Sequence, residues 1–200
     1  MLFRSFLREM REARSKNDSV ALEAARQERR KEIAALSKAD LVLTYSTTEI
    51  AILWEASDGA IDARLCPWVE EIAAILPSAP SRSGLSFLGG FKHKPNLQGL
   101  EWFVSDVLPL LPTTTQLDVY GSGVGPEVEA LASAQVRIRG FAPDVSQCFD
   151  GYRVFIAPLL AGAGVKGKVI KALCQGLPSV LTPIAAEGLG LIHGVHALIA

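Results

Sequence analysis

From Gly84 to the last residue the chain repeats one pattern: a short, almost unbroken apolar run, a turn rich in Gly or Pro, then a helical stretch. The strands expected are Leu85–Leu88, Leu117–Tyr120, Val136–Gly140, Val154–Ala157, Pro178–Leu181 and His196–Ala200. Helices are predicted between them at Leu97 to about Leu111 (with Asn96 or Pro95 at its start), at a short stretch opened by Pro126, near Val145–Phe149 behind Asp144, and over Lys166–Gln175, stopped by Gly176. Strands without polar alternation are buried on both faces, and such strands separated by helices belong to a parallel sheet. Residues 84–200 are therefore expected to form an α/β domain, a Rossmann-like parallel sheet with helices on both faces.

What precedes that pattern has a different texture. Residues 1–40 hold 10 of the 20 Lys and Arg, Arg4 among them, together with 7 acids. Asp18 followed by Ala21, Leu22, Ala24 and Ala25 predicts a helix with Asp18 as its N-cap. Glutamates interleaved with the Arg run favour a solvated helix face over a nucleic-acid arm. A strand at Leu41–Tyr45, a helix over about 47–56 opened by a capping box of Ser46 and Glu49, and a strand near Ala63–Leu65 follow. The polar stretch with Pro67, Glu70, Glu71, Pro77, Ser78, Pro80 and Ser81 reads as a linker. The expected organisation is a mostly helical first portion over residues 1–66, a linker over 67–83, and the sheet domain over 84–200.

Composition narrows function by exclusion. Twenty Lys and Arg against 21 Asp and Glu give a formal net charge of −1, which supplies no whole-molecule field for nucleic acid or an anionic membrane. Cys66, Cys148 and Cys174 are widely spaced and form no CxxC pair, the pattern of reduced thiols. Met1–Ser15 lacks the apolar centre of a signal peptide, and no run approaches the roughly 18 apolar residues of a membrane span. The expected location is cytoplasmic.

Ligands of parallel sheets sit beyond the carboxyl ends of the strands, and three loops there stand out. Gly89-Gly90-Phe91-Lys92-His93-Lys94-Pro95-Asn96 joins two glycines, which let a ligand approach the backbone, to two lysines ahead of a helix start. Gly121-Ser122-Gly123-Val124-Gly125 is only superficially a dinucleotide fingerprint, because its third glycine comes one residue early and no acid closes a following strand. A tight turn is the preferred reading. Ala161-Gly162-Ala163-Gly164-Val165-Lys166-Gly167-Lys168 runs from a strand into a helix, and Lys166, Lys168 and Lys171 are the only Lys or Arg after Arg153. Bare glycine amides, a helix start and adjacent lysines suit a diphosphate. A helix N-terminus disfavours cations by about 0.3–1 kcal/mol each, which favours an anionic ligand over merely solvated lysines. The loop is not a P-loop, since Gly167-Lys168 is followed by Val169 where Ser or Thr is needed.

At these residues the chain resembles a known family. Phe87-Leu88-Gly89-Gly90-Phe91 with Pro95-Asn96, Val119-Tyr120-Gly121-Ser122-Gly123, Gly140-Phe141 and Ala157-Pro158-Leu159 look like nucleotide-sugar glycosyltransferases of the GT-B fold. The nearest subgroup is glycosyltransferase family 4 (glycosyl transferases group 1), whose closing signature is approached by Gly162–Val169 with Ala172-Leu173, Gly176-Leu177-Pro178 and Glu187-Gly188-Leu189. The resemblance covers residues 84–200 in order and extends loosely to 1–65, through Phe6-Leu7-Arg8-Glu9 and Ala39–Val42 with Ser46 and Glu49. It implies that 84–200 is the C-terminal, donor-binding lobe and that 1–66 is part of the acceptor-side lobe. The nucleobase would lie against Gly140-Phe141-Ala142. Gly89, Gly90 and the loop with Gly162, Gly164, Val165, Lys166 and Lys168 would face the diphosphate and sugar, with Lys94 or Lys166 as phosphate cations. It also implies a retaining, metal-independent transfer with no cofactor beyond the nucleoside-diphosphate sugar substrate, in keeping with the lack of a DxD motif and with three scattered histidines, His93, His193 and His196.

Two departures stand out. The family carries glutamates at the positions of Ala163 and Lys171, the second towards the ribose hydroxyls, and an ammonium at Lys171 can only donate where a carboxylate accepts. Family members are also roughly twice as long, and the apparent strand at Ala200 lacks closing helices, so a segment of a larger chain, truncated at its C-terminus, is expected. The catalytic groups and the acceptor pocket are then expected outside this chain, along with any peripheral membrane association, and residues 84–200 should bind donor yet transfer poorly alone. A degenerate, non-catalytic glycosyltransferase domain acting as an interaction module is the second reading. An NAD-dependent oxidoreductase is a distant third.

Overall fold

The computed structural model describes residues 5–73 and 78–200; Arg4 and, in the linker, Pro77 lie outside the described residues. The chain forms two compact units. One gathers the residues up to Val69 with Ala161–Val165 and Glu187–Gly190; the other holds Glu70–Leu160, Lys166–Ala186 and Leu191–Ala200.

The first unit begins with α1 (Ser5–Ser15) and α2 (Ser19–Leu36), separated by a turn in which Asn17 has φ 52°. Asp18 caps α2 as expected, its carboxylate accepting from the Ala21 N–H at 2.9 Å. Part of the charged run is paired along the helix surface, as in Lys16–Glu12 and Arg26–Glu23. Arg11 departs from the solvated-face reading. It donates to the Gly162 carbonyl at 2.8 Å and to Glu187 at 2.7 Å, a bidentate pair that sequence distance concealed. β1 (Val42–Thr44), α3 (Thr47–Ala56) and β2 (Ala63–Leu65) then make a parallel βαβ unit with Val42 opposite Ala63. The expected capping box does not form. Ser46 occupies the N-cap position without a side-chain cap bond, because Thr44 Oγ1 donates to Glu49 and accepts from the Ser46 N–H. A Cβ at Gly188 would meet Ser46 Oγ at 2.6 Å, so the backbone at Gly188 passes close against that hydroxyl.

The second unit is a six-stranded, wholly parallel sheet. Its strands are β3 (Leu85–Leu88), β4 (Leu117–Tyr120), β5 (Val136–Gly140), β6 (Val154–Ala157), β7 (Ser179–Leu181) and β8 (Leu198–Ile199), in the spatial order β5-β4-β3-β6-β7-β8. Numbered from its own first strand this is 3-2-1-4-5-6, the doubly wound Rossmann order. The expected α/β class and parallel sheet are therefore present. The four strands from β5 to β6 present Phe87, Leu117, Val119, Val136 and Ile156 to one core, where Leu100, Phe103 and Leu108 cover them.

The helix expected over 97–111 starts earlier and changes pitch. α4 spans Lys94–Trp102 with His93, not Asn96 or Pro95, at the N-cap, and continues as a π turn (Phe103–Val107) and a 3₁₀ turn (Leu108–Leu110). Pro109 cannot donate to an α ladder, and the altered pitch still buries both Phe103 and Leu108. α5 (Pro126–Glu129) has Pro at its first turn, and Asp144 caps a 3₁₀ turn by accepting from the Ser146 N–H. α6 (Gly167–Cys174) ends before Gly176 at φ 59°. A short α7 (Pro183–Ala186) lies within the stretch after β7 where no helix was expected.

Candidate functional site

In this strand order the connections leave towards opposite faces at β3 and β6, and the crevice between their carboxyl ends is where doubly wound sheets take ligands. β3 runs into Gly89-Gly90 and then α4; β6 runs into Pro158 and then, through a loop, α6. Close backbone approach shapes this end. A Cβ at Gly121 would stand 1.8 Å from the Gly89 carbonyl oxygen, and one at Gly99 2.3 Å from that of Pro158. Neither helix start is capped by a side chain: His93 and Lys166 hold the N-cap positions in extended conformation without cap bonds. First-turn amides and the positive end of each helix dipole are thereby presented beside the crevice.

Lys168 links the two helix starts. Its ammonium donates to Asn96 Oδ1 at 2.7 Å and lies 4.9 Å from the centroid of the Phe87 ring. Asn96 Nδ2 in turn donates to the Gly90 carbonyl at 2.8 Å. The residue as a whole is half-buried but its ammonium is enclosed, and burial, reinforced by the charge of Lys166, pushes it down to about 7. Lys166 is itself buried. Two ammonium groups in one enclosed corner at a helix start disfavour each other, and an anion between them reverses that cost.

The structure thus brings Gly90, Lys166 and Lys168 together and adds Asn96, which the sequence placed in the first loop and at a helix start but not among the ligand-facing residues. Gly162 (φ 141°), Gly164 (φ 73°) and Val165 belong to the first unit, Gly162 through its carbonyl on Arg11. Lys94 is exposed at the start of α4, and Phe141 is exposed after β5, with Ala142 beside it half-buried. Lys171 turns to Glu70, 2.9 Å away, a partner no local pattern pointed to. Among the described residues no three His, Cys, Asp or Glu side chains gather as a metal site, and no helix is long and apolar enough to cross a membrane. His193 and His196 are exposed; His196 Nδ1 accepts from the Ile192 N–H. A cleft of about 690 Å³ lined by Gln116, Asp118, Arg137, Tyr152 and Arg153 opens at the amino ends of the strands, the wrong end for a ligand of this sheet class.

Strand order, uncapped helix starts and enclosed lysines together define a doubly wound, Rossmann-like lobe with an anion-suited crevice at its switch point. Residues 82–200 match the model of the family described as Glycosyl transferases group 1, and the chain belongs to that family. An uncharacterised 44.6 kDa protein in the cps region of Klebsiella pneumoniae is 32% identical over 126 residues, 57% of this chain and 32% of that relative. Anabaena HepE, solved with UDP and glucose, superposes with a TM-score of 0.71 at 15% identity, covering 87% of this chain and 53% of that one. The pneumococcal O-GlcNAc transferase GtfA, solved with UDP and GlcNAc, gives 0.65 at 19% identity, covering 82% and 34%. At these identities the solved structures share the fold. The chain spans about a third of the Klebsiella relative and between a third and about half of these solved chains.

Proposed function

We propose that this chain carries the donor-binding part of a glycosyltransferase that moves a sugar from a nucleoside-diphosphate sugar to an acceptor, with retention of anomeric configuration and without a metal. In this reading residues 84–200 are the donor lobe, 67–83 the linker and 1–66 part of the acceptor side. The reaction belongs to polysaccharide biosynthesis, as the place of the Klebsiella relative in a cps region suggests, and runs in the cytoplasm.

One observation carries the reading: the Lys168 ammonium held across the switch point, between two helix starts that no side chain caps. A pyrophosphate placed there accepts from the first-turn amides of α6 and pairs with Lys166 and Lys168, while Gly89 and Gly90 allow it to approach β3. Lys94 offers a third cation, and Phe141 and Ala142 take the base. The developing charge on a departing nucleoside diphosphate is stabilised by the same cations, the kind of preorganised electrostatics that gives catalysis its largest share.

Calorimetric titration of the chain with UDP, GDP and dTDP tests this. Binding of at least one, weakened tenfold or more by Lys168→Met with the fold intact, is the expected result; a folded sample that binds none of them overturns the donor reading.

A further inference from the structure

A short turn folds α2 back on α1, and with the end of α3 these helices line a cleft of about 590 Å³ that lies wholly within the first unit. Among the described residues its charged lining is four arginines and no acid: Arg14 of α1 with Arg26, Arg29 and Arg30 of α2. Met10, Ile33 and Ala56 supply an apolar wall. Spacings of three and four place Arg26, Arg29, Arg30 and Ile33 on one stripe of α2, and Met10 and Arg14 on one stripe of α1. The two helices run in opposite directions, so the arginines lie nearer the turn and Met10 and Ile33 farther from it. A seam of this kind is ordinarily apolar along its whole length.

The four arginines are unequally neutralised. Arg26 meets Glu23 at 3.3 Å and Arg29 meets Glu55 at 3.0 Å, exposed pairs that water weakens. Among the described residues Arg14 and Arg30 pair with no carboxylate. The neighbouring cations of α1, by contrast, are taken up: Arg11 by Glu187 and Lys16 by Glu12. Like charges gathered in one cleft repel, and an anion among them reverses that cost. Each guanidinium is a planar fork that meets two oxygens at once. A phosphate group, with three terminal oxygens and up to two charges, can engage several forks where a carboxylate engages one. The volume is that of a small-molecule site, and the apolar wall calls for a carbon skeleton beside the charge. Concavity favours a soluble ligand over a bilayer, and a net charge of −1 gives no general attraction to an anionic surface.

We propose that the cleft between α1 and α2 binds a small organic phosphate, its phosphate paired with Arg14 and Arg30 beside Arg26 and Arg29, and its carbon skeleton against Met10, Ile33 and Ala56. The arginine run is then a binding face and not only a solvated one. The site is independent of the donor reading, whose lysines and helix starts belong to the second unit.

The test is calorimetry at low ionic strength with two probes, hexyl phosphate and inorganic phosphate, on the 200-residue chain. Burial of the alkyl chain predicts that hexyl phosphate binds about fivefold or more tightly than inorganic phosphate. The double variant R14Q/R30Q removes two charge-assisted partners and should weaken hexyl phosphate about tenfold or more, with UDP binding and the melting temperature unchanged, since both side chains are exposed. R14K/R30K keeps the charge but loses the forks and should restore only part of the affinity. Lys38→Gln removes an exposed charge outside the cleft and should change nothing. Hexyl phosphate binding that survives R14Q/R30Q, or that falls equally in Lys38→Gln, overturns the proposal, as does an absence of binding. Sedimentation with phosphatidylcholine vesicles containing phosphatidylglycerol separates the remaining source of phosphate: vesicle binding abolished by R14Q/R30Q, without binding of hexyl phosphate, makes the arginines a bilayer contact and overturns the soluble ligand. In none of these outcomes does the donor reading fall, because it is judged by UDP, GDP and dTDP.

Discussion

Asp118 is a buried carboxylate held by three donors: Arg137 Nε at 2.5 Å, Arg139 Nε at 3.0 Å and the Tyr152 hydroxyl at 2.6 Å, with Tyr120 bonded to Tyr152 in turn. Burial alone would raise its pKa, yet the bonds from Tyr152, Arg137 and Arg139 outweigh it and hold Asp118 below the usual carboxylate range. Depression in the folded state means that the contribution is present above the ordinary carboxylate pKa of about 3.9 and is lost as pH falls through the lower, folded value. Asp118→Ala should therefore cost about 1–3 kcal/mol at neutral pH, towards the lower figure because both arginines are half-exposed, with the difference shrinking below about pH 4 in urea titrations. Lys168 has the opposite sign. Its ammonium is pushed down to about 7 by burial and by Lys166, against about 10.4 unfolded, so the unfolded chain binds more protons between those values and stability should rise with pH across that window. Lys168→Met should flatten that rise, as read by denaturant midpoints from pH 7 to 10. At this scale the sequence was legible where a side chain meets its own neighbours, as at Asp18 and Asp144. It was opaque at Ser46, where Thr44 engages both the Glu49 carboxylate and the Ser46 N–H, and at Lys171, whose partner is about a hundred residues away in the chain.

Elements were read well wherever the apolar run was strong and the ends were marked by glycine or proline, as for β3 and β6, and β5 was read from its alternation of Val, Arg, Ile and Arg before Gly140. The misjudged start of α4 has a physical reason. Its first turn, Lys94-Pro95-Asn96, is polar, so periodicity detects the helix only from Leu97, where the buried face begins. The short α7 gives four residues of signal, the first of them a proline, too few to separate from a loop. Glycines test how these elements pack. Gly99 sits where α4 crosses the chain leaving β6, and an added methyl would stand 2.3 Å from a backbone oxygen that cannot swing away. Gly140 ends β5 at φ 71° with open space around it. Gly140→Ala should cost only the left-handed backbone penalty, about 1–2 kcal/mol. Gly99→Ala must move α4 off β6 and should cost about 3 kcal/mol or more, with nucleotide binding weakened too, because Asn96 moves with the helix. Equal losses in chemical denaturation for the two variants would show that space at the crossing is not what Gly99 supplies.

On the scale of the whole chain, the composition argument and the topology point to different kinds of information. Periodicity marks where the sheet domain begins near Gly84, but the assignment of Ala161–Val165 and Glu187–Gly190 to the first compact unit depends on contacts more than a hundred residues apart. No window-based reading sees those. Arg11 is the side chain that makes them: its guanidinium binds the Gly162 carbonyl and both oxygens of Glu187. The pair is partly exposed, 35% and 20%, so water takes back much of its Coulomb energy. Discounted accordingly, the clamp is worth about 1 kcal/mol, roughly fivefold in protection against local opening. Arg11→Ala should therefore speed amide exchange in residues 161–165 and 187–190 about fivefold while leaving β3, β4 and β6 as slow as before. The charge exchange R11E/E187R should recover most of the protection at 187–190, since the ion pair re-forms, and less at 161–165, where a carboxylate at position 11 cannot donate to the Gly162 carbonyl. Uniformly faster exchange throughout the sheet would instead make Arg11 a contributor to global stability, and the two segments would then owe their place in the first unit to packing alone.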